Sequence, residues 1–223
     1  MEQLNTTNMK EAYRQAYGDI SQEALELDLR VTFRTIQLLA EGLPVSAERL
    51  AAAWEMPLEQ VQAILEGADA IGKAQLDGDG NLIGGVLSLV PTPHRVIVNG
   101  NQLYAWCAYD AVYIPGVIGK NAQIESMDPL SGETIQMTIT QDGVIDLSPE
   151  DSVVSVVSPE VGDAGPDGPR CSQMLFFASD KSAETWLKDH PGVEILTVEQ
   201  VFEIAREFQV EPARRLGLLD KSR

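Results

Sequence analysis

The segment Pro91-Thr92-Pro93 separates two parts of the chain with different hydrophobic patterns, and this change limits the possible folds more than any other feature. Before it, apolar residues recur every three or four positions, as in amphipathic helices. After it, short apolar segments alternate with turn sequences, which is typical of strands. Because 44% of the residues are hydrophobic, a substantial core can form. The sequence therefore predicts an α+β fold with a helical N-terminal part and a mostly antiparallel sheet after it.

Residues 21–90 are predicted to form three helices followed by a hairpin. The helices are expected to begin at Ser21, at Ser46 and near Pro57, which suits a first helical turn. The turn 77–80, with the sequence DGDG, then separates two short strands. This order resembles a winged helix-turn-helix, and we expect this domain to pack on the C-terminal part.

Residues 91–223 are predicted to form a mixed α+β domain. The strand candidates are 96–98, 122–127, 134–140, 144–147, 153–157 and 174–177. Two helices close the chain, and the second begins with a capping box formed by Thr197 and Gln200. At the other end, residues 1–20 are polar with weak helical signals, so we expect a loosely docked lead-in rather than part of either domain.

The charge of the chain argues against a nucleic-acid partner. Its 34 acidic residues face only 16 Lys and Arg, which gives a net charge of -18, and such a surface repels polyphosphates. The helix in the recognition position, 58–72, carries Glu59, Glu66 and Asp69 without any Lys or Arg. Base and phosphate contacts need Arg, Lys, Asn or Gln at that place. We therefore expect the winged-helix-like part to have a structural role and the protein to bind no nucleic acid.

The chain contains two cysteines, Cys107 and Cys171, which are far apart in sequence. No apolar run reaches the ~18 residues that would span a bilayer, and the first residues lack the apolar segment of a secretory signal. We therefore expect a cytoplasmic protein without a membrane partner. In that reducing compartment two thiols are expected rather than a disulfide. Their spacing does not match the close cysteine pairs of structural zinc sites.

The apolar segment around Cys107 contains the strongest chemical signal. If a helix begins near Trp106, its N-terminus stabilises a thiolate and lowers the pKa of Cys107. Asp110 then lies on the same helical face, three residues further on. The aromatic residues Tyr104, Trp106 and Tyr109 make the surroundings apolar, which favours the protonated form of a carboxyl group beside a thiolate. Such a thiol and acid suit a proton-coupled reaction on a thiophilic substrate, although a purely structural role of the same residues stays open.

The second cysteine follows a loop rich in Gly, Pro and Asp, residues 159–169. Cys171 therefore stands at the junction between this loop and the apolar segment 174–177. A cysteine at such a junction can be partly exposed and can approach the first one. The sequence does not establish that the two thiols meet.

Both cysteine segments resemble those of the organomercurial (alkylmercury) lyase family. The resemblance rests on Tyr104–Asp110 with Ile114–Gly119, on Arg170–Ser179 with Ala183–Trp186, and on Gly42–Ser46 and Asp79–Gly84 in the helical part. It covers roughly residues 30–210 and does not include the N-terminal extension. Two separate cysteine motifs in the right order make it specific.

The resemblance implies that Cys107 and Cys171 bind mercury and that Asp110 donates the proton that cleaves the carbon–mercury bond of R–Hg⁺. The products would be R–H and Hg²⁺, with Asp110 also beside the bound Hg²⁺, and no cofactor would be required. Ser172 stands where family members commonly have a further cysteine. Low-molecular-weight thiols or a mercuric reductase would then accept the Hg²⁺.

Apolar organic groups of the substrate are expected to sit against Tyr104, Trp106 and Tyr109. Two other functions remain open at this point. A mercury- or copper-responsive regulator would use the cysteines as a sensor, but the acidic recognition helix counts against it. A soft-metal chaperone would need both thiols but not Asp110, so the position of that carboxyl group favours the enzyme.

Overall fold

The computed structural model describes residues 2–18, 20–159 and 165–219. Residues 1 and 19 of the predicted lead-in and 160–164 of the predicted loop lie outside the described residues. The α-helices are α1 (Glu2–Gly18), α2 (Gln22–Leu39), α3 (Ala47–Trp54), α4 (Leu58–Ala70), α5 (Ala108–Ile118), α6 (Asp180–Leu187), α7 (Val198–Ala205) and α8 (Glu211–Arg215). A 3-10 turn, Cys171–Gln173, precedes α6, and a π-helical turn, Arg206–Val210, joins α7 to α8.

The strands form two sheets. They are β1 (Gln75–Leu76), β2 (Leu82–Gly84), β3 (Leu87–Ser88), β4 (His94–Val98), β5 (Asn101–Ala105), β6 (Ala122–Met127), β7 (Thr134–Ile139), β8 (Val144–Ser148), β9 (Val153–Val156), β10 (Phe176–Phe177) and β11 (Glu194–Thr197). The larger sheet has the order β1-β2-β3-β5-β4-β6-β7-β8, and the smaller one has the order β10-β9-β11. Every strand pair in both is antiparallel. The predicted α+β class with a mostly antiparallel sheet is confirmed.

Local capping signals place most of the helices. Ser21 and Ser46 are the N-caps of α2 and α3, and each side chain accepts a backbone N–H three residues later. Pro57 directly precedes α4. The capping box of Thr197 and Gln200 begins α7, with both of its reciprocal hydrogen bonds present. These helix starts are confirmed because each depends on a few neighbouring residues.

The strand predictions are less complete. They do not include β5 and β11, because each of these strands lies beside an apolar helix and shares its hydrophobic run. The candidate 174–177 contains a strand only at Phe176–Phe177. Its first residue instead closes a turn, since the N–H of Met174 donates to the carbonyl oxygen of Cys171 at 3.1 Å.

In the segment where a loosely docked lead-in is expected, the structure shows the long helix α1, Glu2–Gly18, docked on the C-terminal half. Tyr13 is 1% exposed, and its ring stacks on Phe208 with 5.3 Å between the ring centroids. An ion pair of 2.7 Å joins Lys10 to Glu207. The segment is polar on average, but it carries a narrow apolar stripe that packs on residues near the C-terminal end of the chain, such as Phe208.

The larger sheet runs through the predicted boundary between 21–90 and 91–223. Leu87 of β3 pairs with Ala105 of β5, so the hairpin of the helical part and the strands of the C-terminal part share one hydrogen-bonded sheet. The division into two domains and the winged-helix interpretation stay predictions. What the structure shows is a continuous framework on which both parts are built.

Helix α5 is central to this framework. Nine of its eleven residues are buried, and it contacts strands of both sheets as well as α2 and α7. Gly116 permits a close approach to the π-helical turn, because a Cβ atom there would lie 2.8 Å from Cγ2 of Val210. Among the described residues, no helix combines the length and the apolar character needed to cross a membrane.

Candidate active site

Cys107 lies where β5 gives way to α5. Its extended backbone makes it the N-cap of the helix, and its Sγ accepts the N–H of Asp110 at 3.5 Å. The helix predicted to start near Trp106 thus begins at Ala108. Asp110 occupies the first turn of α5 and is 8% exposed. The thiol and the carboxyl group therefore lie on the same side of the helix start, as their spacing predicts.

Main-chain hydrogen bonds bring the second cysteine to the same place. The N–H of Ala108 donates to the carbonyl oxygen of Met174 at 2.8 Å, which attaches the start of α5 to the 3-10 turn that begins at Cys171. On the other side, the N–H of Ser172 donates to the carbonyl oxygen of Gly168 at 3.0 Å. The turn that contains Cys171 is thereby fixed on both sides by the backbone.

Cys107, Asp110 and Cys171 form one buried cluster. One ligand atom from each, the two Sγ atoms and a carboxylate oxygen, all lie within 4.8 Å of one another. Both cysteines are present as thiols. The structure thus brings together the three residues that the sequence motifs single out, although the two thiols are far apart in the chain.

A cavity of about 330 Å³ opens beside the cluster. Its walls come from α1, α2, the hairpin region, α5, the turn at Cys171 and the π-helical turn. The lining residues are Tyr17, Asp28, Thr32, Lys73, Val86, Trp106, Cys107, Tyr109, Asp110, Tyr113, Gly165, Arg170, Cys171, Met174 and Gln209.

Two of the three aromatic residues predicted for the substrate pocket, Trp106 and Tyr109, line this cavity. Tyr104 does not. It is half-buried on β5 between the buried Leu103 and Ala105, and its hydroxyl oxygen accepts a hydrogen bond of 2.6 Å from Gln102. Because side chains alternate along a strand, Tyr104 points to the face opposite to that of its two neighbours. Tyr113, one helical turn after Tyr109, takes a place in the wall instead.

The expected lowering of the Cys107 pKa is wrong. Burial raises the pKa of this thiol well above its ordinary value, and the adjacent Cys171 and the negative charge of Asp110 raise it further. The N–H of Asp110 acts in the opposite direction but is the weakest of these influences. The helix start offers one long N–H···S contact, which does not offset the removal of a thiolate from water.

Arg170, to which the sequence motifs assign no role, lines the cavity next to Cys171. Its Nη2 donates to the hydroxyl oxygen of Tyr13 at 2.6 Å, and its guanidinium carbon lies 5.8 Å from the centroid of that ring. Burial lowers the pKa of Arg170, but Tyr13, Tyr109, Cys107 and Asp110 raise it, and the net shift is upward. Arg170 therefore stays a cation. The sequence feature that could have identified Arg170 as a cavity residue is its position directly before Cys171 in the second cysteine motif.

The cluster has the composition of a site for a soft metal. Thiolate sulfur is the softest side-chain ligand, and two such ligands with an adjacent carboxyl group can hold a thiophilic ion and move a proton beside it. The aromatic wall gives an apolar organic group a place to sit. These properties fit an organometallic substrate.

Comparison with known proteins gives the same answer. A family model described as alkylmercury lyase matches residues 87–209, which include the whole cluster. The chain belongs to the alkylmercury lyase family. Curated relatives of this lyase include the alkylmercury lyase of Staphylococcus epidermidis, 39% identical over 173 residues, with 78% of each chain covered. Those of Bacillus cereus and Pseudomonas putida are 37% and 38% identical, and each comparison covers at least three quarters of both chains.

Membership of this family makes the chain an enzyme that cleaves carbon–mercury bonds. The fold agrees with that of a solved structure, the crystal structure of the mercury-bound form of MerB2. The two align with a TM-score of 0.70 and 23% identity, covering 91% of this chain and 98% of that one. The comparisons give no support to the alternative functions, a metal-responsive regulator or a soft-metal chaperone.

Proposed function

We propose that this lyase holds the mercury of R–Hg⁺ between Cys107 and Cys171, and that Asp110 delivers the proton that releases R–H. The observation that carries the proposal is the buried cluster, in which the two sulfur atoms and the carboxylate oxygen lie within 4.8 Å of one another. A soft ion seated on both sulfurs would place its organic substituent beside the acid.

The first step captures the substrate. One thiol exchanges its proton for R–Hg⁺, which gives a neutral, two-coordinate S–Hg–R species and releases H⁺. Burial raises the pKa of Cys107, so this thiol keeps its proton until mercury replaces it. A soft cation competes well for that position because the mercury–sulfur bond is strong.

The second step cleaves the carbon–mercury bond. The other thiol gives its proton to the Asp110 carboxylate, and its sulfur binds mercury, which now carries two thiolates and the organic group. The added thiolate increases the electron density on the carbon. Asp110 then donates the proton to that carbon, so that the C–Hg bond breaks as the C–H bond forms. The products are R–H, Hg²⁺ held by two thiolates, and an ionised Asp110 beside it, ready to act again.

The cavity supplies the binding site for the organic group. We assign this role to Trp106 and Tyr109, together with Tyr113 and Met174, which line the same cavity. Because these four side chains present aromatic and thioether surface, methyl and phenyl groups are suitable occupants.

The remaining parts of the proposal concern the setting of the reaction. All proton transfers described above use side chains of the cluster, so we propose that turnover needs no cofactor. Hg²⁺ bound to two thiolates leaves by exchange with other thiols, which makes low-molecular-weight thiols or a mercuric reductase suitable acceptors. Since the reaction requires reduced cysteines, we propose that the enzyme works in the cytoplasm.

Single-turnover release of benzene from phenylmercury, followed by gas chromatography, tests the three roles. Cys107→Ser and Cys171→Ser should abolish the release while the fold is kept. Asp110→Asn should still bind the substrate but release benzene about 10²- to 10⁴-fold more slowly, as expected for loss of a general acid.

Asp180→Asn is a matched control, because Asp180 also lies in the first turn of a helix but is exposed and does not line the cavity. It should behave like the wild type. Benzene release at the normal rate from either cysteine variant would show that the two-thiol assignment is wrong. A normal rate in Asp110→Asn would remove the proton-donor role.

A further inference from the structure

The proposed reaction passes through a species whose charge must be compensated. When the second thiol gives its proton to Asp110 and its sulfur binds S–Hg–R, the negative charge of the buried site moves from the carboxylate to the mercury complex. An uncompensated charge in such surroundings is costly. The rate of cleavage should therefore depend on a fixed cation near the two sulfurs.

We propose that Arg170 is this cation and that it stabilises the anionic dithiolate–mercury complex formed during cleavage. The proposal rests on the function proposed above. Arg170 lines the cavity together with Cys107, Asp110 and Cys171, and it is the chain neighbour of Cys171. Cys107 and Asp110 both raise the pKa of Arg170.

The contacts of Arg170 leave its charge available. Nη2 is used in the hydrogen bond to the neutral Tyr13 hydroxyl, and Nε is buried without a hydrogen-bond partner among the described residues. The ion pairs at the surface of the described chain are made by Lys10 and by arginines other than Arg170. A largely buried arginine is normally paired with an acid. Here the site itself, once it holds two thiolates, supplies the negative charge.

The cavity contains a second cation, Lys73, which is less suited to this role. It shares its part of the wall with Asp28, and its charge lowers the pKa of that carboxyl group against the effect of burial. Lys73 thus compensates an acid of its own. This leaves Arg170 as the cavity cation whose field acts on the cluster.

The position of Arg170 is fixed from the N-terminal end of the chain. Tyr13 of α1 accepts its hydrogen bond and stacks its ring on Tyr109, with 5.9 Å between the centroids. A guanidinium held in place needs little reorganisation when the charge develops, which is the condition for effective electrostatic stabilisation. Helix α1, which lies outside the family resemblance, therefore contributes to the reaction through its contact with this arginine.

Because the negative charge reaches the mercury complex only when the second sulfur binds, the loss of the cation should act mainly on cleavage. Arg170→Gln keeps a donor for Tyr13 but removes the charge. We expect single-turnover benzene release to slow by about 10- to 100-fold, as for a unit charge several ångströms away at an effective dielectric constant of about 20. The dissociation constant for phenylmercury should stay within about threefold, and Arg170→Lys should recover most of the rate because it restores the charge.

Two controls separate charge from folding. Arg49→Gln removes an exposed arginine that pairs with Glu41, and it should leave the rate unchanged. Tyr13→Phe keeps the charge of Arg170 but removes its tether, so its rate should fall less than that of Arg170→Gln.

The proposal is overturned if Arg170→Gln releases benzene within about twofold of the wild-type rate. It is also overturned if Arg170→Lys is as slow as Arg170→Gln, or if the glutamine variant and Arg170→Met both fail to fold, since the residue would then act on the structure. Cys107→Ser, measured in parallel, distinguishes the two proposals. Benzene release from that variant contradicts the proposed function itself, whereas an inactive Cys107→Ser beside a normal Arg170→Gln contradicts only the role of Arg170.

Discussion

Replacement of Gly165 by alanine should disturb both stability and catalysis, because this glycine anchors the loop that leads to Cys171. Its φ of +78° is in the left-handed region, and a Cβ atom there would overlap the backbone carbonyl oxygen of Gly72. In the alanine variant, either the loop at residue 165 or the backbone at Gly72 must therefore move. Backbone hydrogen bonds connect Gly165 to the turn at Cys171. The N–H of Gly168 donates to the carbonyl oxygen of Gly165 at 2.9 Å, and the N–H of Ser172 donates to the carbonyl oxygen of Gly168 at 3.0 Å.

The magnitude follows from comparison with Gly132→Ala. Gly132 has a φ of +73°, and no atom lies within 4 Å of the place that a Cβ would take, so alanine there costs only the left-handed conformation, about 1–2 kcal/mol. Gly165→Ala has the same backbone cost and, in addition, about 1–3 kcal/mol for displacement of a packed segment. For a chain of this size, that difference lowers the melting temperature by about 2–4 °C per kcal/mol.

Thermal unfolding of both variants measures the difference in stability, and single-turnover benzene release measures the effect on the site. Gly165→Ala should be slower by about 10²-fold if Cys171 moves by about 1 Å. Gly132→Ala should retain the wild-type rate. Equal losses of stability, together with unchanged rates in both variants, would refute the idea that the loop is held by its contact with Gly72.

Two further predictions concern the scaffold. Burial lowers the pKa of His94 from 6.5 to about 4. The contribution of the neutral imidazole to stability is therefore present above pH 6.5 and is lost as the pH falls towards 4. Between pH 7 and pH 5 the free energy of unfolding should decrease by about 2 kcal/mol because of this group. Urea unfolding at the two pH values checks this, and a wild-type pH dependence in His94→Gln would contradict it. Thr197→Ala removes the capping box of α7 and should cost about 1 kcal/mol, measured as a melting temperature about 2–4 °C lower; an unchanged melting temperature would show that packing alone holds the helix start.

The fold could be predicted wherever the signal is local. Ser21, Ser46 and the Thr197–Gln200 pair place helix starts correctly because a cap depends on residues three positions apart. The docking of helix α1 could not be predicted, because the aromatic partners of Tyr13 lie in distant parts of the chain. Strand β5 could not be recognised in the sequence because its apolar residues continue without a break into α5. The alternation typical of a strand extends over too few residues to separate it from the helix.

The candidate site was predictable for a different reason. The spacing of Cys107 and Asp110 places both on one face of a helix, but only the resemblance to a family connects them with Cys171. The predicted direction of the thiol pKa is wrong because the helix start is local, whereas the burial that outweighs it comes from the whole tertiary structure. No feature of the sequence predicts the contact between Arg170 and Tyr13, because the two residues are far apart in the chain.

The hydrogen bond between Ala108 and Met174 joins the two halves of the cluster through peptide groups rather than through side chains. The spacing of the sulfur atoms is therefore largely independent of which side chains occupy the surrounding wall. If the cavity holds the organic group as proposed, exchange of Met174 for smaller or larger apolar residues should change which organic groups fit while the positions of the two sulfur atoms are kept. Variants at this position would then show whether the preference among organomercury substrates can be changed without moving the two cysteines.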